Sequence, residues 1–238
     1  MALDHALADL LEAGTGVLRL YGWEPHTISF GRNEPTAGRY DTEAAAREGL
    51  AFVRRPTGGR AVLHAHEVTY AVVVPLRALG GVRAAYVRIN EGLVVGLSAL
   101  GIRAAVSRDG PVLAPDAGPC FRSPAPGEVV VAGRKLVGSA QVRVGGALLQ
   151  HGSIILRGDQ SAVARLSRNP AGVERPAAIE DELGRPVDPG AVALVVADSL
   201  RLALGGFWAE GDYLPEEARR ADELVEARYG RDPWTWRR

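Results

Sequence analysis

The stretch Gly133-Arg134-Lys135-Leu136-Val137-Gly138-Ser139-Ala140-Gln141, which runs on through Val144 and a Gly145-Gly146 pair to Ala147–Leu156, decides the fold. Apolar and β-branched residues fill two runs of strand length, Lys135 to Val144 and Ala147 to Leu156, and the paired glycines between them permit the tight turn of a hairpin. A third such run, Glu128 to Val131, stops just before Gly133 and predicts another strand. Connections this short imply antiparallel neighbours. Toward the amino terminus, strands are expected at Gly16 to Trp23, Thr27 to Phe30, Ala51 to Val53 and Val68 to Val74. Between them lie helical patterns. Ala2 to Leu11 places Leu3, Ala6, Leu7, Leu10 and Leu11 on a packed face, with Asp4, His5 and Asp9 largely opposite. Asp41 can cap a helix that Gly49 ends, and Gly101 closes a longer one from Val82 to Leu100. Asp188-Pro189 reads as a cap and first-turn pair before Val192 to Leu204, and Glu216 to Tyr229 follows. The prediction is an α/β (α+β) fold, a mixed, largely antiparallel sheet flanked by helices. No repeat, low-complexity tract or linker divides residues 1–238, so one domain is expected.

Bulk properties narrow the function. The chain has 238 residues and a mass of 25.2 kDa, carries a formal net charge of +0, and has its basic residues scattered, which argues against an electrostatic grip on nucleic acid or anionic lipid. No apolar run approaches the roughly 20 residues that span a bilayer, and no secretory leader pattern opens the chain. A cytoplasmic protein with neither membrane nor nucleic-acid partner is expected. The single cysteine, Cys120, excludes an intramolecular disulfide and a thiolate cluster for zinc. It is either an inert core residue or a reactive thiol, and it lies in a Gly- and Pro-rich loop from Ser107 to Pro126.

Two runs carry candidate chemistry. In Arg54-Arg55-Pro56-Thr57-Gly58-Gly59-Arg60-Ala61-Val62-Leu63-His64, followed by Glu67, Thr69 and Tyr70, glycines let a substrate approach backbone N–H groups. The flanking arginines can neutralise a phosphate or hold an acyl carbonyl, although a Gly-Gly pair beside basic residues also fits an ordinary solvated turn. In the second run, strict alternation puts Lys135, Val137, Ser139 and Gln141 on one side and Leu136, Gly138 and Ala140 on the other. On that reading Lys135 and Ser139 face a common pocket; the bland reading is a solvated strand-end lysine. Downstream come Gln150-His151-Gly152-Ser153, where His151 is either a structural hydrogen-bonding residue or a catalyst.

Taken together, the Arg-Arg-x-Thr-Gly-Gly loop and the Gly-x-Lys-x-x-Gly-Ser-Ala strand followed by His-Gly resemble the lipoate-protein ligase A and octanoyltransferase family, the biotin/lipoate A/B protein ligase catalytic domain. The resemblance begins at Met1-Ala2-Leu3-Asp4-His5-Ala6-Leu7 and covers essentially the whole chain. It implies a fold shared with biotin-protein ligases and an acyl tunnel between the glycine loop and the lysine strand. The substrate-binding set it implies is Arg54, Arg55, Thr57, Gly58, Gly59, Arg60, Ala61, His64, Tyr70, Gly138, Ser139, Ala140, Gln141, His151 and Gly152, with no metal. Cys120-Phe121-Arg122-Ser123-Pro124 is similar to the Cys-Phe-x-x-Pro element of the octanoyltransferase branch, where ligases typically carry Asn-Asp. Arg60, at a position where many ligases have a third glycine, also looks like that branch. The resemblance implies catalysis by Cys120 and Lys135. An octanoyl group would pass from acyl carrier protein to Cys120 and then to a lysine of an apo lipoyl domain or glycine-cleavage H protein, with no cofactor required. Two alternatives stay open: an ATP- and Mg-dependent lipoate ligase forming lipoyl-AMP, with Cys120 a bystander, and a noncatalytic acyl-binding or regulatory paralogue. No counterpart of the accessory domain of some ligases is expected after the catalytic domain.

Overall fold

The computed structural model describes residues 1–108, 121, 126–169 and 175–237. Nine strands and eight α-helices are defined among them: α1 (Ala2–Asp9), β1 (Val17–Tyr21), β2 (Thr27–Phe30), α2 (Thr42–Arg47), β3 (Ala51–Arg54), β4 (Val62–His64), β5 (Glu67–Pro75), α3 (Val82–Ala99), β6 (Ala105–Val106), β7 (Val129–Val131), β8 (Arg134–Val144), β9 (Ala147–Ile155), α4 (Ser161–Leu166), α5 (Ile179–Leu183), α6 (Pro189–Leu204), α7 (Pro215–Leu224) and α8 (Asp232–Thr235). A π-helical turn, Val225–Tyr229, continues α7.

The expected hairpins form a six-stranded sheet in the order β1-β5-β9-β8-β7-β6, every pairing antiparallel. A second sheet of three strands, β3-β2-β4, joins β2 and β3 in parallel and β2 and β4 antiparallel, so the architecture is mixed and largely antiparallel as expected. One face of the large sheet carries Tyr70, Val72, Leu148, Ile154 and Val137, packed on Ile89, Leu93 and Leu97 of α3 and Val192, Val196 and Leu200 of α6. The two helices approach closely because Gly92 and Gly96 carry no side chain: a Cβ on Gly96 would lie 2.4 Å from Ser199 Oγ. Cap residues act as the sequence implies, with Asp41 accepting from Ala44 N and Asp188 from Ala191 N. Gly101, just beyond α3, takes the left-handed conformation at φ +89°.

One expectation about α1 is corrected. Asp4 and His5 are buried, whereas Leu10 is 40% exposed. The helix is covered on two sides: Leu7 and Ala8 meet Ala71, Val73 and Leu149 of the large sheet, and the Asp4 carboxylate is held by Arg19 and by Tyr21 Oη at 2.9 Å. An acidic residue enters this interior because its donors are there to meet it.

Candidate active site

The small sheet packs over the face of the large sheet that carries Thr69, Gly138, Ala140, His151 and Ser153, and between them lies a cavity of about 340 Å³. Its small-sheet wall is the glycine loop with Ser29, Val62 and His64. Arg55 fixes the shape of that loop. Its guanidinium donates to Ser29 O and Oγ at 3.0 Å, to Gly58 O at 2.9 Å and to Arg60 O at 2.7 Å, so the loop carbonyls are tied back and the glycine backbone faces the cavity. Gly59 sits at φ +91°, where L residues are strained.

Arg54, expected at the substrate, has a different task. It is fully buried and donates to Trp234 O at 2.8 Å, Gly31 O at 2.6 Å, Glu34 O at 2.7 Å, Thr36 Oγ1 at 2.6 Å and Thr235 O at 2.9 Å. Burial pulls its pKa down to about 10, which leaves it cationic at neutral pH. The guanidinium pins α8 to β2 and β3, and Arg54 is not among the lining residues.

The opposite wall depends on an irregularity in β8. The hairpin from β7 to β8 turns through Ala132 (φ +49°) and Gly133 (φ +79°), the positive pair that suits a two-residue turn. Val131 faces Arg134 and Val130 faces Lys135, but Val129 faces Val137, leaving Leu136 as the extra residue of a β-bulge. Leu136 and Val137 both enter the core under α3 and α6. The expected alternation therefore fails at this point, and Lys135 lies on the face of Gly138 and Ala140, with Ser139 on the other. A Cβ on Gly138 would lie 3.4 Å from Lys135 Cε and 2.9 Å from Phe121 Cζ. Lys135 Nζ donates to Glu128 Oε1 at 2.5 Å, both residues being buried, and lies 5.0 Å from the centre of the Phe121 ring. Pairing with β7 stops at Val137, so the cavity reaches the stretch of β8 from Gly138 to Gln141 beyond the end of that partner strand.

Two buried polar networks support the walls. His64 stacks on Trp23, with ring centres 4.3 Å apart, and sits between Ser29 Oγ (2.7 Å from Nε2) and Glu67 Oε1 (2.8 Å from Nδ1). The same Glu67 oxygen accepts from Thr69 at 2.5 Å and Ser153 at 2.9 Å, and this carboxylate fixes the imidazole tautomer that donates from Nδ1. On the other side, His151 Nε2 lies 2.7 Å from Thr57 Oγ1, while Nδ1 stands 3.6 Å from Asp4 Oδ2, too long for a hydrogen bond.

Burial pushes the His151 pKa below its usual value, against the raising effect of Asp4. Its folded pKa is thus lower than the unfolded value near 6.5. Stability from this site is fully present above pH ~6.5 and is lost as pH falls toward the folded value, because the unfolded chain takes up the proton first. The unfolding free energy from urea titration should fall between pH 7 and 5, by at most about 1.4 kcal/mol per pH unit for this one proton. A His151→Gln protein should show a shallower acid decline. His5 and His66 are shifted in the same sense by burial, so the decline should flatten without vanishing. An identical slope in wild type and variant would refute the assignment.

The structure brings Arg55, Gly58, Gly59, His64, Gly138, Ser139, Ala140, Gln141, His151 and Gly152 to the cavity. Thr57 stands behind the wall on His151, and Arg60 lends its carbonyl to Arg55. Ala61 packs with Ile28 and Phe30, away from the cavity lining. Tyr70 also turns away: its hydroxyl meets Ser139 Oγ at 2.7 Å and accepts from Gln150 Nε2 at 2.8 Å on the helix side, and burial pushes its pKa up to about 12. Cys120 lies outside the described residues. Among the described residues no group of three or more His, Cys, Asp or Glu is placed to hold a metal, and no helix is long and apolar enough to cross a membrane.

Residues 1–201 match the model of the lipoyl protein ligase A/B catalytic domain. The chain belongs to that family. Within it, the protein is 40% identical over 258 aligned residues to octanoyltransferase LipM of Kyrpidia tusciae, with 100% of this chain and 94% of that protein covered. It is 38% identical to octanoyltransferase LipM of Symbiobacterium thermophilum, covering 100% and 93%. Among solved structures, lipoate-protein ligase A bound with ATP superposes with a TM-score of 0.82 at 22% identity, covering 99% of this chain and 92% of that one. A bipartite lipoate protein ligase from Thermoplasma acidophilum gives 0.80 at 21%, covering 99% and 89%. The lipoate-ligase fold expected from the two motifs is therefore present.

Residues that sequence reasoning did not place at the site are Glu128, Ser29, Trp23 and Ser153. Glu128 carried a readable signal, a carboxylate immediately ahead of the short strand that turns into Lys135. Ser29 and Trp23 carried none, since their neighbours come from β4 and β5, far along the chain.

Proposed function

We propose that the protein is an octanoyltransferase of protein lipoylation. It moves an octanoyl group from acyl carrier protein, through a Cys120 thioester, to a specific lysine of a lipoyl-dependent protein, either an apo lipoyl domain or the glycine-cleavage H protein. No nucleotide is consumed. The observation that carries this reading is full-length similarity at 38% and 40% identity to two proteins named octanoyltransferase. The site is consistent with it: a cavity with glycine backbone on one wall and, on the other, Glu128 holding the buried Lys135 just behind the lining suits an acyl chain with its carbonyl toward that lysine.

In the first step the Cys120 thiolate attacks the carbonyl of the octanoyl thioester; a new C–S bond forms and the carrier's thiolate leaves. In the second, the acceptor amine attacks the acyl-enzyme, the amide C–N bond forms, the Cys120 thiolate leaves, and the amine proton passes to solvent. Exchange of one thioester for another is nearly isoenergetic and aminolysis is downhill, so neither step needs ATP. A cysteine thiol ordinarily ionises near pH 8.5, and a neighbouring cation favours the thiolate. Phe121, next in sequence to Cys120, packs against the Lys135 ammonium, and that ammonium is the cation to supply this help.

The test uses the wild-type chain. Incubated with octanoyl-acyl carrier protein and no ATP, it should gain the mass of one octanoyl group, removable by neutral hydroxylamine and mapped to the Cys120 peptide. Addition of apo H protein or apo lipoyl domain should clear the label as the acceptor gains it. Transfer that occurs only with lipoate or octanoate plus ATP would overturn the proposal.

A further inference from the structure

Lys135 is the only lysine in the chain. We propose that Glu128 is its positioning residue, holding the ammonium on the cavity side of β8 so that one cation serves the acyl carbonyl in both transfer steps; this rests on the transferase reading.

Three observations converge. First, Nζ donates to Glu128 Oε1 at 2.5 Å, and both side chains are nearly removed from solvent. A buried ammonium needs such a counter-charge. Second, the contact is built by the backbone. The two-residue turn at Ala132-Gly133 and the bulge at Leu136 put Lys135 on the face of Val130, and Glu128, just ahead of β7, reaches it from that side. Without the bulge Lys135 would point under α3, away from Glu128. Third, Phe121 and Gly138 border the lysine. Phe121 stands 5.0 Å from Nζ, and Gly138 leaves room for the lysine stem and the ring, whose atoms would crowd a Cβ at 3.4 and 2.9 Å.

Glu128 also lines the cavity, whereas Lys135 is not itself among the lining residues. The lysine head is thus tied to a wall group and not projected freely. A free lysine side chain carries about 2 kcal/mol of rotamer entropy. Fixing it before substrate arrives removes that cost from the reaction, and a reacting geometry loose by even 1 Å is slower by about a hundredfold. Glu128 thereby acts through Lys135 and not on the substrate bonds.

The experiment follows Glu128→Gln and Glu128→Asp with two readouts. The first is steady-state octanoyl transfer to apo H protein. Glu128→Gln keeps size and a neutral acceptor oxygen but lacks the charge, so kcat should fall on the order of thirtyfold with KM for donor and acceptor within about twofold. Glu128→Asp should recover a substantial part of kcat. The second is independent of activity: with ¹⁵Nζ-lysine labelling, the chain gives one side-chain ammonium resonance. It should be visible and slow to exchange in wild type, and shifted or lost to solvent exchange in Glu128→Gln at unchanged melting temperature. An unchanged resonance together with kcat within twofold overturns the proposal. So does a rise in KM at constant kcat, which would make Glu128 a simple binding residue. Should wild type transfer nothing with or without ATP, the transferase reading fails alone, and the resonance still decides whether Glu128 holds Lys135.

Discussion

Arg54→Ala should destabilise the protein by about 4 kcal/mol, with melting lowered by on the order of 10 °C. The side chain is fully buried, and its N–H groups meet the carbonyls of Gly31, Glu34, Trp234 and Thr235 and the hydroxyl of Thr36. Removing it leaves buried acceptors without donors, each a loss of 1 to 3 kcal/mol by rough measure before relaxation. Burial of the charge opposes this, and the pKa drawn down to about 10 is the mark of that opposition. The net effect is large because one planar fork serves six acceptors, the Arg32 carbonyl included. Arg54→Lys should recover little, since an ammonium on a flexible stem cannot reach the same set. Urea unfolding and limited proteolysis at α8 would measure it, and a loss under 1 kcal/mol would contradict the argument.

The second large effect is expected at Gly31→Ala. Gly31 is not part of the glycine-loop motif, yet an added Cβ would stand 1.8 Å from Gly59 O and 2.6 Å from Gly59 C, which is backbone and cannot swing aside. Gly59 itself is hemmed in by the Arg55 guanidinium and held at φ +91°. The loop must shift bodily. Overpacking of this kind costs about 3 kcal/mol, and displacement of the Gly58-Gly59 wall by an ångström should lower kcat/KM for octanoyl transfer on the order of a hundredfold. Transfer assays paired with thermal melts would report both losses. Kinetics within threefold of wild type would show that the loop tolerates displacement.

Legibility of the sequence differed between elements for physical reasons. The long strands β5, β8 and β9 and the helices α3 and α6 were readable because their apolar pattern is local and their ends carry Gly, Asp and Pro signals. In the small sheet β2 and β3 were equally readable as strands, but β4 and the pairing of the three were not. β4 has only three residues and its partner in β2 lies more than thirty positions away, so nothing nearby in sequence announces the pairing. The glycine loop and the lysine strand point to the site from sequence, but two residues in them do something other than their spacing suggests. Arg54 resembles a ligand in sequence because charged residues beside glycines usually face solvent, whereas it is a buried tie to α8. Lys135 was placed with Ser139 by strict alternation, whereas the adjacent apolar pair Leu136-Val137, both needing the core, is the trace of a bulge.

That bulge makes the facing of Lys135 a matter of counting. Strict alternation over the three steps from Lys135 to Gly138 would turn the amine under the helices, with the strand, its neighbours and the core still able to pair. A substitution that flattens the bulge at constant length is therefore a route from a working enzyme to a well-folded silent one. Relatives that retain activity should have either the bulge across this three-step interval or an even interval without one.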